Sequence, residues 1–175
     1  MPRGDVTDAA AIHQRLLDRG LTVAVAESLT GGLLSAALAS SPGSSSTFRG
    51  GLVVYATDLK TTLADVPQRL LDAQGPVSAD VAAALAGGVR HRLEADLGVG
   101  ITGVAGPDAV GEHLAGTVFL AVAGPDADRV CRLDLPGSRT EIREASVAAA
   151  LRLLSDVLDG SSGTGIPDPS VGVTP

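Results

Sequence analysis

Hydrophobic positions along the chain alternate between helical and extended spacing. Ala11, Ile12, Arg15, Leu16 and Arg19 recur with helical period and Gly20 stops the run, which predicts a first helix over residues 7–19. Residues 21–26 are a short run of small and branched apolar side chains, a buried strand. Residues 33–39 predict a short helix that ends at Ser41-Pro42-Gly43, followed by the polar stretch 44–47. Residues 50–55 read as a second strand, whose apolar run predicts cover on both faces. Asp58 is placed to cap a short helix through Ala64, Pro67 to start another, and Gly75-Pro76 to break the chain. Ser78 then caps a long helix to about residue 94, with Val81, Ala82, Leu85, Val89 and Leu93 on one face. Residues 97–102, 116–123 and 129–135 are three more strands. In the last of these, Cys131, Leu133 and Leu135 alternate with Arg132 and Asp134, the mark of a half-exposed edge. Ser138-Arg139-Thr140-Glu141 fits a capping box for a helix running to about residue 158.

Strands interleaved with helices predict an α/β sandwich with at least one antiparallel hairpin near the end of the sheet. A length of 175 residues, 45% of them hydrophobic, suits one domain with a real core, here residues 1–159. Residues 160–175 are mostly Gly, Ser, Thr and Pro and are expected to form a disordered tail.

Composition narrows the function classes. No apolar run reaches the length that crosses a bilayer, and a start bearing Asp5 and Asp8 does not read as a secretory leader. Cys131 is the single cysteine, which excludes an intrachain disulfide and suits a cytoplasmic location. A net charge of −7, with no basic patch, argues against nucleic-acid backbone binding, although a small anion needs only two or three local cations. Three scattered histidines and one cysteine do not suggest a zinc site, and neither a metal nor an organic cofactor is expected.

The chemistry points to the stretch Glu27-Ser28-Leu29-Thr30-Gly31-Gly32. A strand turning into a helix N-terminus presents free backbone N–H groups and a positive dipole end. Ser28 and Thr30 stand where a nucleophile, an anion ligand or a helix cap would stand, and the local pattern leaves these open. Tyr55, the only tyrosine, closes the second strand, and Lys60 is the only lysine. Unlike arginine, a desolvated lysine can accept a proton near neutrality; a packed tyrosine and an exposed surface lysine are the alternative. Ser28, Tyr55 and Thr102 each follow a predicted strand, so one end of the sheet could hold all three. Arg139 and Arg143 share a face of the last helix near its N-terminus, either as an anion clamp or as solvated surface.

These residues form an ordered series. Glu27 to Gly32, Pro42-Gly43-Ser44-Ser45, Gly50-Gly51-Leu52-Val53-Val54-Tyr55 with Lys60, Gly75-Pro76-Val77-Ser78, Thr102-Gly103-Val104-Ala105-Gly106-Pro107, Gly116-Thr117-Val118 and Gly137-Ser138-Arg139 with Arg143 follow in order. The series resembles the CinA C-terminal domain family, the nicotinamide-nucleotide amidohydrolases, over about residues 8–158. The resemblance implies a three-layer α/β/α sandwich with a mixed sheet, and hydrolysis of nicotinamide mononucleotide to nicotinic acid mononucleotide and ammonia. It implies a metal-free site with Ser28 as nucleophile and Tyr55 and Lys60 as its activating partners. Substrate contacts are expected at Thr30, Gly31, Gly32, Ser44, Thr102, Gly103, Arg139 and Arg143. The expected assembly is a homo-oligomer, a dimer or higher. In many relatives the domain follows a larger molybdopterin-binding-like domain, and this chain reads as the stand-alone form.

The chain departs from the family pattern in three places. The loop after Gly106-Pro107 usually carries a Gly-Gly pair and a Lys-Pro. Here it reads Asp108-Ala109-Val110-Gly111-Glu112-His113-Leu114-Ala115. Ser138 and Asp58 replace the usual Asp and Asn. The loop bears on affinity and substrate choice, and leaves a second reading open: a nucleotide-binding module of the same fold without amidase activity.

Overall fold

The computed structural model describes residues 9–125 and 128–160, and the expected tail beyond residue 160 lies outside them. Five strands form one mixed sheet in the order β2-β1-β3-β4-β5. They are β1 (Val23–Glu27), β2 (Phe48–Val53), β3 (Leu97–Gly103), β4 (Thr117–Ala123) and β5 (Arg129–Asp134). β1 pairs in parallel with β2 and β3, and β4 is antiparallel to both β3 and β5. The helices are α1 (Ala9–Arg19), α2 (Leu33–Ala39), α3 (Thr57–Ala64), α4 (Gln68–Gln74), α5 (Ala79–Arg92) and α6 (Arg139–Leu158). A 3-10 turn covers Ser44–Ser46.

Side-chain alternation along the inner strands explains the three layers. Val23 and Val25 of β1, Leu97, Val99 and Ile101 of β3, and Val118, Leu120 and Val122 of β4 share one core with Ile12, Leu38 and Leu154 from α1, α2 and α6. The opposite face carries smaller groups, Ala24 and Ala26 on β1 and Ala121 on β4, packed against the α3–α5 side. Gly100 faces α5 so closely that an added Cβ would lie 2.3 Å from the Ala82 carbonyl. Bulk on one face and small residues on the other let a long helix seat close to the sheet.

Strand order places the functional end of the sheet. The chain leaves β1 to build β2 on one side and returns by α3, α4 and α5 to build β3 on the other. β1 is therefore flanked by strands reached in opposite directions, and the crevice at its C-terminal end is where α/β sheets bind ligands.

The predicted elements are present, with local differences. β2 is an edge strand, not one covered on both faces: Arg49, Gly51 and Val53 are exposed. Its apolar run continues into Val54, which is buried beyond the strand proper against the α3–α5 layer. Asp58 does not cap α3. The N-cap is Ala56, with no side-chain cap, and Asp58 lies in the first turn, where its charge favours the helix dipole. Ser138 does cap α6, with Glu141 completing the capping box.

One close approach holds α3, and so Lys60, in place. A Cβ on Gly88 of α5 would lie 1.7 Å from the Ala64 carbonyl at the end of α3. Backbone cannot yield as a flexible side chain can, so Gly88→Ala should push α3 outward and destabilise by about 1–3 kcal/mol. Thermal denaturation checks this, and a melting temperature equal to the parent's would refute the close-packing account.

Candidate active site

Ser28 is the first residue after β1, and its backbone N–H donates to the Ile101 carbonyl of β3 at 3.1 Å. The serine is thus fixed to the two central strands. On the other side Val54 N–H donates to the Glu27 carbonyl at 2.8 Å, extending the β1–β2 pairing by one residue. The next residues enter α3, which carries Lys60 back over Ser28. The Lys60 Nζ lies 2.9 Å from Ser28 Oγ and donates to the Val54 carbonyl at 2.8 Å. Lys60 is only 1% exposed and Ser28 8%. Burial disfavours the ammonium and pushes the Lys60 pKa down to about 8.

The turn after Ser28 is held by two charged side chains. Gly31 and Gly32 both adopt positive φ, 58° and 101°, which explains the glycine pair. The Glu27 carboxylate, fully buried, then accepts from the N–H groups of Gly32 (3.2 Å), Leu34 (2.9 Å) and Ser35 (2.8 Å) and from Ser35 Oγ (2.6 Å). Among the side chains, the Glu27 carboxylate, and neither the Ser28 nor the Thr30 hydroxyl, satisfies the start of α2, where the Leu33 N–H donates to the Thr30 carbonyl. Every group facing that carboxylate is a donor, so the amide nitrogen of a glutamine would meet donors. Glu27→Gln should lower stability by about 2–3 kcal/mol, read from chemical denaturation; parental stability would show that the cap is dispensable. From the other face, Arg143 of α6 donates through Nε to the Leu29 carbonyl at 2.9 Å and through its terminal nitrogen to the Thr30 carbonyl at 3.0 Å.

A cavity of about 330 Å³ opens beside this pair. Of the residues singled out in the sequence, Ser28, Tyr55, Lys60, Thr102, Gly103 and Arg139 line it. Thr102 is buried, and its hydroxyl donates to the Pro76 carbonyl at 2.7 Å, tying β3 to the turn that forms one wall. Tyr55 is 58% exposed, and its phenol oxygen accepts from Arg139 at 2.8 Å. Arg139 also donates to the Gly106 carbonyl at 2.7 Å, so it spans the mouth from one rim to the other.

Five expected contacts fall off the cavity lining. Thr30 is fully buried. Gly31 and Gly32 direct their N–H groups to the Ser28 carbonyl and to Glu27. The Arg143 guanidinium is engaged by the backbone of the same turn. Ser44 is at the opposite end of the sheet, because α2 runs back from the C-terminal end of β1 and Thr47 pairs with Val23 at its start. Sequence reasoning also passed over Glu27 as a cap, although an acid closing an apolar strand is the signal that marks it. Pro76, Val77 and residues 108–110, which the sequence placed in the family series and in the divergent loop without assigning them contacts, form walls of the cavity.

Among the described residues no group of three or more His, Cys, Asp or Glu side chains is arranged to hold a metal ion, and no helix is long and apolar enough to cross a membrane.

Comparison with known proteins agrees with this architecture. The family model described as the CinA C-terminal domain matches residues 6–158. A CinA-like protein of Frankia casuarinae is 47% identical over 145 residues, which is 83% of this chain and 34% of that protein. One from Desulfotalea psychrophila is 42% identical over 149 residues, 85% of this chain and 36% of that protein. The chain thus spans about a third of the length of these curated relatives. The crystal structure of the competence/damage inducible protein CihA from Agrobacterium tumefaciens superposes with a TM-score of 0.84 at 34% identity, covering 90% of this chain and 98% of that one. A CinA superfamily protein from Escherichia coli gives 0.84 at 30% identity, covering 90% and 93%. The match of nearly the whole folded chain, in sequence and in superposed fold alike, places it in the CinA C-terminal domain family.

Proposed function

We propose that the protein is an amidohydrolase that converts nicotinamide mononucleotide to nicotinic acid mononucleotide and ammonia, with Ser28 as nucleophile and Lys60 as its base. The observation that carries this reading is the buried Lys60 Nζ, 2.9 Å from Ser28 Oγ in the wall of a cavity. A carboxamide is unreactive, and a covalent route divides its hydrolysis into two smaller steps. Ser28 Oγ attacks the carboxamide carbon while neutral Lys60 takes its proton. Lys60 returns that proton to the departing nitrogen, and ammonia leaves. Water then attacks the acyl-serine while Lys60 takes a proton from it, and Lys60 passes that proton to the departing Ser28 Oγ as the acid is released.

The remaining groups support binding and charge stabilisation. Gly31 and Gly32 amides are engaged within the turn, so the oxyanion falls to the amide of Leu29, which lines the cavity and whose N–H has no partner among the described residues. Arg139, at the mouth, is the cation for the phosphate, and binding there exchanges its bond to Tyr55 or Gly106 for charge-assisted ones. Tyr55 contacts Arg139, whereas the hydrogen bonds of Lys60 go to Ser28 and Val54, which favours Lys60 over Tyr55 as proton acceptor. Ammonia release from nicotinamide mononucleotide, run beside thermal-shift binding, tests the reading. Release of ammonia is expected; binding without release would select a nucleotide-binding module of this fold instead.

A further inference from the structure

The loop that departs from the family pattern forms part of the cavity. Residues 110 and 113 pair as a tight hairpin, each N–H donating to the other's carbonyl at 3.0 Å, with Gly111 at φ 58°. The His113 ring meets Phe119 of β4 edge to face, with centroids 5.8 Å apart and planes at 81°, and the Arg132 guanidinium lies 5.9 Å from the Phe119 centroid. The His113–Phe119 contact ties the hairpin to β4, and Asp108, Ala109 and Val110 line the cavity.

The lining contains three charged residues, Lys60, Asp108 and Arg139. Lys60 is committed to Ser28 and Val54, and Arg139 to Tyr55 and Gly106. Asp108 is exposed and enters no ion pair among the described residues. Leu29, Val77, Val104, Ala105, Ala109 and Val110 supply apolar wall for a flat ring. A free carboxylate on an apolar wall repels an anion and attracts a cation. With Arg139 holding the anionic end of a ligand, the walls match a molecule that is anionic at one end and cationic at the other.

We propose that Asp108 is a specificity-determining residue that selects a positively charged heteroaromatic carboxamide, such as an N-ribosylated pyridinium, over its neutral counterpart. The proposal rests on the amidohydrolase reading for its choice of ligand. The test uses nicotinamide mononucleotide and its 1,4-dihydro form, which share the phosphate and the carboxamide and differ in ring charge. Dissociation constants for both are measured in Ser28→Ala, with and without Asp108→Asn, and ammonia release from both is measured with Ser28 intact. With Asp108 present, the cationic ring is expected to bind roughly fivefold tighter than the neutral one, the upper range for one solvated charge contact. Asp108→Asn should erase that preference without changing affinity for the neutral form, and Asp108→Glu should restore it. Equal affinities in the presence of Asp108, or a preference that survives Asp108→Asn, would overturn the proposal. A preference that depends on Asp108 without ammonia release supports this role while refuting the amidohydrolase reading. Ammonia release with no dependence on ring charge does the reverse, and failure of both ligands to bind overturns both.

Discussion

Ser28→Ala is expected to lower turnover by at least ~1000-fold, as removal of a covalent nucleophile does elsewhere. Ligand affinity and fold should stay near parental. The Ser28 hydroxyl has one hydrogen-bond partner, Lys60, and Lys60 keeps its second bond to the Val54 carbonyl when the hydroxyl is gone. The backbone bond from Ser28 to Ile101 does not involve the side chain. Circular dichroism and calorimetric binding establish that the variant is folded and binds, and ammonia release then measures the chemistry alone. Parental turnover would remove the acyl-serine route. A loss of binding equal to the loss of turnover would instead make Ser28 a ligand-holding residue.

Lys60→Arg is expected to cost at least ~100-fold in turnover, the low end of general-base effects, with binding retained. Arginine keeps a positive charge at this position but offers no neutral amine near neutral pH. The pH profile gives an independent check. With its pKa lowered by burial to about 8, Lys60 is mostly charged at pH 7 and mostly neutral at pH 9. Activity should therefore rise through about pH 8 and level off above it, and Lys60→Arg should lack that limb. Near-parental activity in Lys60→Arg would leave Lys60 only an electrostatic role.

The same shift has a stability consequence of definite sign. The folded pKa lies below the ordinary 10.5, so between the two values the unfolded chain binds more protons and the contribution of Lys60 to stability rises with pH. Below about pH 8 the cost of burying the cation is fully present. Lys60→Met should thus gain stability relative to the parent when compared at pH 7 against pH 10, a difference that denaturation at the two pH values reads. The site accepts a buried cation at some expense to the fold, which suits a group kept for proton transfer.

Much of the fold was legible because its signals are local. Helical period marked α1 and α5, alternation marked β5 as an edge, and Ser138 with Glu141 announced for α6 a capping box that is present. Where the reading of β2 failed, the cause was ambiguity of short apolar runs: Val53 and Val54 look alike in sequence, yet one is 44% exposed and the other fully buried. The site was half legible. Strand ends pointed to Ser28, Tyr55 and Thr102, whereas helical spacing put Arg143 beside Arg139 without showing that its guanidinium is taken by the Leu29 and Thr30 carbonyls.

By itself the sequence determined the order and type of the elements and the presence of a strand-to-helix turn after Ser28, because hydrophobic period, capping residues and glycine φ preferences act over a few residues. Tertiary structure decided which strand is central, that Lys60 is buried against a serine 32 residues away, that Glu27 rather than a hydroxyl satisfies the start of α2, and that Asp108 faces the cavity. Each of these depends on desolvation and on contacts between segments far apart in the chain. A lone lysine carries the same local pattern whether it ends in water or in the core, and only the placement of α3, which brings Lys60 to Ser28 and the Val54 carbonyl just beyond β1 and β2, distinguishes the two.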